Sequence, residues 1–483
     1  MKKVAVVVIA AISSFAANAL GNGRFPRALK LVEDPTHPDH LVLAGTYGLL
    51  TTDDRGKNWH FICEASFSLQ DLALLTDPQI DFSGDAMLAG VTVSLNVSRD
   101  RGCDWQPSLA DPYEFVRDFS VGKNDPKSVI ALVESTDGTR QMLEESNDGA
   151  VTWHVAGAPI PTRTLVTVDV AASDSTRIYV SALSEKEEGE LFVSSDRGAT
   201  WTRKPIPGTG FDAVPYIARV HPSDPDKIFV RTDAYTNREV IDTANDALLY
   251  SADGGTTWTE LIRRQAKLFG FALSPDASTI LVGYGDPVDP SRLIQKEDTG
   301  IYRSATDEFD FRRLDRSAVA CLSWTMSGVY VCRGGSDRAF DLGFASASDF
   351  AGDASTMLPL LRERDVKGPL GCCPGTTSMR CAGDWESSCK VLGACGDGGI
   401  TAPVIPAGCP SVPNPDGGAG AASTRHVRCG CRAPGSRTNH PPFWSLVAPL
   451  ALARRLGGRK RNENRMAIDT CEPVGHPRYP PLV

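Results

Sequence analysis

The chain has 483 residues, enough for two to four domains or one large one, and its 41% apolar and 7% aromatic content is that of a folded globular protein. A net charge of −9 excludes a general nucleic-acid binder, because neutralising phosphates needs a basic surface. The 33 prolines and 44 glycines speak against a helical bundle and for many short strands joined by turns.

In chain order, Lys2 and Lys3 precede an apolar stretch over 4–12, and Ala17-Asn18-Ala19 follows as a small-x-small site. That pattern predicts a signal peptide over 1–19 and therefore export. In an oxidising compartment the 13 cysteines read as disulfide partners, with the odd count leaving one unpaired within the chain.

A repeat of the form S/T-x-D-x-G-x-x-W then recurs. It appears as Thr52-x-Asp54-x-Gly56-x-x-Trp59 and as Ser98-x-Asp100-x-Gly102-x-x-Trp105. The third copy, Ser146-x-Asp148 to Trp153, carries its glycine one place early, at Gly149. The cleanest copies are Ser194-x-Asp196-x-Gly198-x-x-Trp201 and Ser251-x-Asp253-x-Gly255-x-x-Trp258. Five of the eight tryptophans end such a unit, which excludes coincidence. The aspartates lie 46, 48, 48 and 57 residues apart, the length of four short strands and their turns. β-rich runs at 40–44, 128–132, 177–180 and 227–230 precede the boxes, each after a Pro, Asp or Ser turn. Within a unit, the aspartate is placed to accept backbone N–H groups just after it. The glycine supplies a positive φ, and the hydroxyl serves another local backbone group. The tryptophan opens the returning strand as a wedge against a neighbour.

These units resemble the Asp-box, or BNR, repeat of sialidases, sortilin-type receptors and related β-propellers. The resemblance implies an all-β propeller over 24–365. In those families the box is a structural turn on the outer rim, so it implies no catalysis. Ser304-x-Thr306-Asp307 through Phe311 looks like a decayed sixth box, and strands for a seventh blade can be drawn through 318–322, 328–332, 344–346 and 357–361. Seven blades are expected, at about 49 residues each, with six as the alternative. How the ring closes is not evident, since little chain precedes the first strand.

Cys63 and Cys103 are placed to staple neighbouring blades, and Cys321 and Cys332 to pair across a hairpin. Six cysteines over 366–410 (Cys372, Cys373, Cys381, Cys389, Cys395 and Cys409) suggest a small disulfide knot with fifteen connectivities open. It contains no Cys-x-x-Cys and no histidine, so a metal site is not expected. Residues 411–440 read as a Pro/Gly-rich linker. Cys429-Gly430-Cys431, the apolar stretch within 441–461 and the Arg454 to Arg461 cluster resemble a myxobacterial C-terminal sorting signal, which implies cell-surface delivery and membrane attachment. The sequence departs from that pattern in a short, proline-interrupted apolar stretch and a tail over 462–483.

Catalytic constellations are scarce. Sialidases carry an arginine triad, a Tyr–Glu nucleophile pair and an Asp acid/base. Here Gly23-Arg24-Phe25-Pro26-Arg27 holds the first motif's letters in the wrong order, and the other roles are not assignable residue by residue. The most enzyme-like segment groups Tyr235, Arg238, Glu239 and Asp242 in an insertion, where propeller loops bind ligands. Residues 185–190 read as a charged hairpin tip, the eight histidines show no ligand or triad spacing, and His60 and His154 follow box tryptophans on the rim. Asn96-Val97-Ser98 forms a glycosylation sequon. The expected function is a secreted or cell-surface monomer that binds a protein, peptide or glycan, with no cofactor, no metal and no nucleic acid. A sialidase-like glycoside hydrolase and an envelope assembly factor are the alternatives.

Overall fold

The apolar runs before the boxes become the second strands of their sheets, among them Leu41–Gly45, Val129–Ser135 and Ile178–Leu183, each buried along its whole length. A strand with a partner on both edges and a neighbouring sheet on both faces has no solvent side, which is why these runs lack polar alternation. The computed structural model describes residues 27–68, 77–111, 114–233, 245–285, 298–334, 340–348, 357–395, 405–406 and 409. All of these lie in the compact unit Met1–Asn414.

Seven four-stranded antiparallel sheets follow one another as blades at 28–62, 79–109, 114–156, 164–210, 214–264, 267–315 and 319–361. The protein is a seven-bladed β-propeller, and six blades are excluded. At six of the seven seams the first strands of neighbouring blades touch and ring the axis, the seam of blades 7 and 1 among them, while the first strand of blade 6 lies against the second and third strands of blade 5. The core is divided into seven apolar wedges, one at each seam, rather than gathered at a centre. In six of the seven first strands the register slips by one residue, at Leu29, Arg117, Val166, Ala218, Phe269 and Ala320. Such bulges bend and twist an inner strand where the ring is tightest.

Every blade uses four consecutive strands, so no strand is shared across the closing seam. Closure falls instead to the chain after blade 7. Lys367 N donates to Trp59 O at 2.9 Å, Phe61 N to Gly368 O at 2.8 Å and Leu370 N to Phe61 O at 2.8 Å. The segment thus runs parallel to the outer strand of blade 1, His60–Ile62. It then crosses to the second box, where Ser378 N donates to Cys103 O at 3.0 Å and Trp105 N donates to Thr377 Oγ1 at 2.9 Å. A helix at Cys381–Leu392 brings the buried Trp385 within 5.4 Å of the Phe61 ring, in the apolar wedge shared by blades 1 and 7.

This strap corrects two expectations about cysteines. Cys63 is bonded to Cys381 and Cys103 to Cys372, so the proposed Cys63–Cys103 staple does not form. Cys372 and Cys381 leave the expected knot to anchor the strap on the propeller, and Cys373–Cys409 and Cys389–Cys395 are the pairs that remain within it. Cys321 pairs with Cys332 on adjacent strands of blade 7. The cause is the strap's course over blades 1 and 2, which places its cysteines beside Cys63 and Cys103.

Candidate functional site

Each box sits between the third and fourth strand of its blade and closes through one repeated set of bonds. In blade 4, Ser194 Oγ donates to Asp196 Oδ1 at 2.8 Å and accepts Gly198 N–H at 2.7 Å. Asp196 Oδ1 accepts Thr200 N–H at 2.8 Å, and Thr200 Oγ1 donates to Asp196 Oδ2 at 2.7 Å. Thr52, Ser98, Ser146 and Ser251 serve Asp54, Asp100, Asp148 and Asp253 in the same way, at 2.7–2.9 Å. These bonds hold Asp54, Asp148, Asp196 and Asp253 below the usual carboxylate range, because each stabilises the ionised form.

Two consecutive residues in each turn have positive φ, not the glycine alone. Arg55, Arg101 and Arg197 stand at 56–60°, just before Gly56, Gly102 and Gly198 at 85–91°. The third box keeps this backbone with Gly149 at 76° and Ala150 at 62°, so alanine holds the place glycine occupies elsewhere. The fourth-position N–H of the box also donates to the turn between the first and second strand of the same blade. Arg55 reaches Asp39 O, Gly149 reaches Lys127 O, Arg197 reaches Thr176 O and Gly254 reaches Asp226 O, all at 2.8–3.0 Å. In the decayed box it is the third-position residue, Thr306, whose N–H donates to this turn, at Ser278 O and 3.0 Å.

The tryptophans reach backwards around the ring. Trp153 Nε1 donates to Ser108 Oγ at 2.9 Å and Trp201 Nε1 to Ala158 O at 3.0 Å, each in or just after the preceding blade. Trp59 Nε1 makes the equivalent reach to Leu360 O of blade 7, at 3.2 Å. Trp105 donates to Gly102 O at 3.0 Å and is buried against Phe67. Trp258 packs at the seam of blades 4 and 5. The boxes are therefore rim fasteners, and their carboxylates, exposed at Asp100, Asp148, Asp196 and Asp253, are engaged in closing their own turns.

Among the described residues, three other places bear on a candidate site. On the axis side, Asp118 Oδ2 accepts Val168 N–H of the next blade at 2.8 Å, and Asp169 Oδ2 accepts Val220 N–H at 2.9 Å. Burial pushes the Asp118 carboxyl up to about 7, with the neighbouring Asp169 charge adding to the rise. Asp81 lies 3.4 Å from Lys123 Nζ and 3.9 Å from Lys30 Nζ. Burial alone would raise it, but the two ammonium groups hold it down at about 2.

In blade 1, His40 Nδ1 lies 3.3 Å from Asp34 Oδ2 and Nε2 lies 3.1 Å from Thr51 Oγ1. That is the order of an Asp–His–hydroxyl triad. All three residues are at most 3% exposed, so no substrate reaches the hydroxyl, and burial lowers the His40 pKa. The set ties the turn after the first strand, Ala28–Glu33, to the third, Gly48–Thr52. Its members stand six and eleven residues apart in no recognised spacing, so sequence reasoning missed it.

The third place is a cleft of about 500 Å³ in blade 4, lined by Glu188, Glu190, Arg203 and the segment Pro205 to Thr209. The predicted hairpin tip is shorter than 185–190. Glu188–Ser194 is a strand, and Glu190 is only 3% exposed. Tyr235, Arg238, Glu239 and Asp242 lie outside the described residues. Asn96 is 1% exposed and its Nδ2 donates to Ser94 Oγ at 2.9 Å, so the folded chain does not present that sequon for glycosylation. His154 is exposed beside Glu145 at 3.7 Å, and burial lowers the half-buried His60.

The comparisons with known proteins bear on the same ring. Residues 141–304 match the sortilin-Vps10 family model, described as sortilin, neurotensin receptor 3. The match spans blades 3 to 6 in part and about a third of the chain, and the model belongs to the Asp-box type of propeller. No curated protein matches. Among solved structures, an ancestral GH74 enzyme is similar at 12% identity over 68% of this chain and 37% of its own, with TM-score 0.33. The GH74 xyloglucanase from Xanthomonas campestris is similar at 16% identity over 68% and 64%, with TM-score 0.33. The extracellular domain of a putative hybrid two component system from B. thetaiotaomicron is similar at 11% identity over 64% and 37%, with TM-score 0.43. This chain thus spans 37% of the first of these, and the GH74 relatives are distant.

Proposed function

We propose that this chain is a non-catalytic, ligand-binding propeller of the extracytoplasmic space, secreted or held at the cell surface, that takes a protein, peptide or glycan as a monomer. The observation that carries the reading is the employment of its polar groups. Asp118, Asp169 and the Asp34–His40–Thr51 set each spend their hydrogen-bonding atoms on joining blades or turns. A family model named for a neurotensin receptor over 141–304 supports reception rather than turnover. Five disulfides suit folding outside the cytoplasm, in keeping with the signal-peptide pattern over 1–19 and membrane attachment through 441–461.

One observation favours a glycoside hydrolase as the second reading. Asp118, a buried carboxyl pushed up to about 7 with Asp169 beside it, is the kind of raised carboxyl that general-acid hydrolysis uses. The test is to incubate the disulfide-intact chain with sialylated and β-glucan oligosaccharides, follow the mixtures by mass spectrometry, and probe peptide and glycan arrays in parallel. Retained ligand with unchanged oligosaccharides is the expected result. Cleavage products that vanish in Asp118→Asn would replace the binding reading with the hydrolytic one.

A further inference from the structure

The outer strand of blade 4 does not run straight. Glu190 pairs with Pro205, yet Glu188, two residues back, pairs with Gly210. Residues 206–209 therefore arch away from the sheet opposite the single residue Gly189. The arch is fixed at both feet. Thr209 Oγ1 donates to Ile206 O at 2.7 Å, Ile206 is 2% exposed in the seam with blade 5, and Phe211 N donates to Glu187 O at 2.9 Å. Gly189 is required beneath it, since a Cβ there would stand 1.9 Å from Thr209 Oγ1. The result is a preformed cleft of about 500 Å³ in the size range of small-ligand sites, bounded by two prolines that lack a donor N–H.

The charges in this cleft are unequal. Glu188 and Glu190 project from the same side of their strand, because strand side chains alternate. Arg203 is the single cation in the lining. Glu190 is 4% exposed at its side chain and takes the Arg203 guanidinium as its ion-pair partner, while Arg203 itself is 59% exposed. A buried carboxylate has thus been matched with a group that is mostly in water. With that group turned away, the cleft holds two carboxylates and no cation.

We propose that this cleft receives the guanidinium of an arginine side chain on an extended peptide, with Glu190 as the buried anchor and Glu188 at the mouth. Arg203 is an internal surrogate that the guest displaces. Its own seat on Glu190 shows which functional group the anchor accepts, and the rings of Pro205 and Pro207 offer an apolar wall for the guest's methylene stem. Arginine is preferred over lysine because its planar fork satisfies a carboxylate with two parallel donors. The proposal rests on the ligand-binding reading above and names one peptide chemistry for it.

Displacement has a direct consequence. An internal occupant lowers apparent affinity by the fraction of time the site is closed, so removing it raises affinity. The experiment is calorimetric titration of the full, disulfide-intact chain at low salt with acetyl-Gly-Arg-Gly-amide and its lysine and citrulline counterparts. Arg203→Ala is expected to tighten binding of the arginine peptide by about tenfold, with lysine weaker and citrulline silent. Glu190→Gln in the Arg203→Ala background is expected to abolish binding. If that variant does not fold, the exposed Glu188→Gln in the same background is expected to weaken binding severalfold. Unchanged affinity in Arg203→Ala, or equal binding of citrulline, overturns the proposal. Array ligands that still bind Arg203→Ala and Glu188→Gln as they bind the parent would show that the general binding reading stands while this site is wrong.

Discussion

The rim of blades 1 to 5 and the seam between blades 7 and 1 solve the same problem with opposite means. On the rim, each box holds itself with bonds between residues two to four apart, such as Ser194 to Asp196 and Asp196 to Thr200. At the seam, the fastenings join residues 269 and 318 apart, through Cys103–Cys372 and Cys63–Cys381. Local fastenings form as soon as a hairpin forms and cost little chain entropy. The long ones restrain nearly the whole ring, and in the unfolded chain they remove far more freedom. Robustness on the rim comes from repetition, and at the seam from covalent closure.

The sharpest way to break this contrast is to cut the seam. Replacing Cys63 and Cys381 together by serine is expected to lower stability by about 4 kcal/mol if the link acts through chain entropy, since the intact Cys103–Cys372 bond leaves a loop of roughly 50 residues to close. Differential scanning calorimetry checks the loss. Hydrogen exchange is expected to show blades 1 and 7 opening before the boxes of blades 3 to 5, whereas uniform loss would mean that the strap is not the closing element. Next in size is Trp105→Ala, which empties a site 1% exposed on the blade under the strap, for an expected cost of about 3–5 kcal/mol in chemical denaturation.

The axis side gives a pH test of intermediate size. Asp118 is raised to about 7 when folded, above its unfolded value of about 4. Between these pH values the folded state keeps a proton that the unfolded state has released, so this group makes stability fall as pH rises through that window. Asp118→Asn retains an acceptor for Val168 N–H and is expected to gain about 1–3 kcal/mol over the parent at pH 8, with little difference below pH 4. The box aspartates act in the opposite sense. Their depressed pKa values stabilise the fold above the unfolded pKa of about 4, and that contribution is lost as pH falls through the folded values. Denaturation midpoints measured from pH 2 to 9 should show both slopes in the parent, with only the acid limb in Asp118→Asn.

The smallest expected effect sharpens the rim side. Ala150 holds a φ of 62° where four other boxes have glycine, a conformation costing a residue with a Cβ about 1 kcal/mol. Ala150→Gly is expected to stabilise by no more than that, net of the lost methyl, as a shift in thermal midpoint. A destabilised variant would mean that burial of the Ala150 methyl outweighs its strain.

What could be read directly was whatever the chain encodes over a few residues. The boxes, their tryptophans, the runs that became second strands and the strands of the last blade all fall in this class. The decayed copy also proved a real turn, because Thr306 N donates to Ser278 O, Phe309 N donates to Ala305 O, and Phe309 and Phe311 pack on the wedge between blades 5 and 6. The Asp34–His40–Thr51 set, the arch over Gly189 and the Arg203–Glu190 pair left no such trace. Each needs a register shift or a turn that only the assembled blade supplies.

The sequence by itself determined the repeat, the blade length, a propeller of six or seven blades and the Cys321–Cys332 neighbours on one hairpin, because those depend on strand period and turn chemistry over short separations. Tertiary structure alone decided the blade count, which cysteines close the ring, which carboxyls have their pKa raised or lowered, and where a cleft opens in an outer strand. Those outcomes depend on which distant residues meet and on how much water each group loses when seven blades pack side by side, and neither quantity is written in any local stretch of the chain.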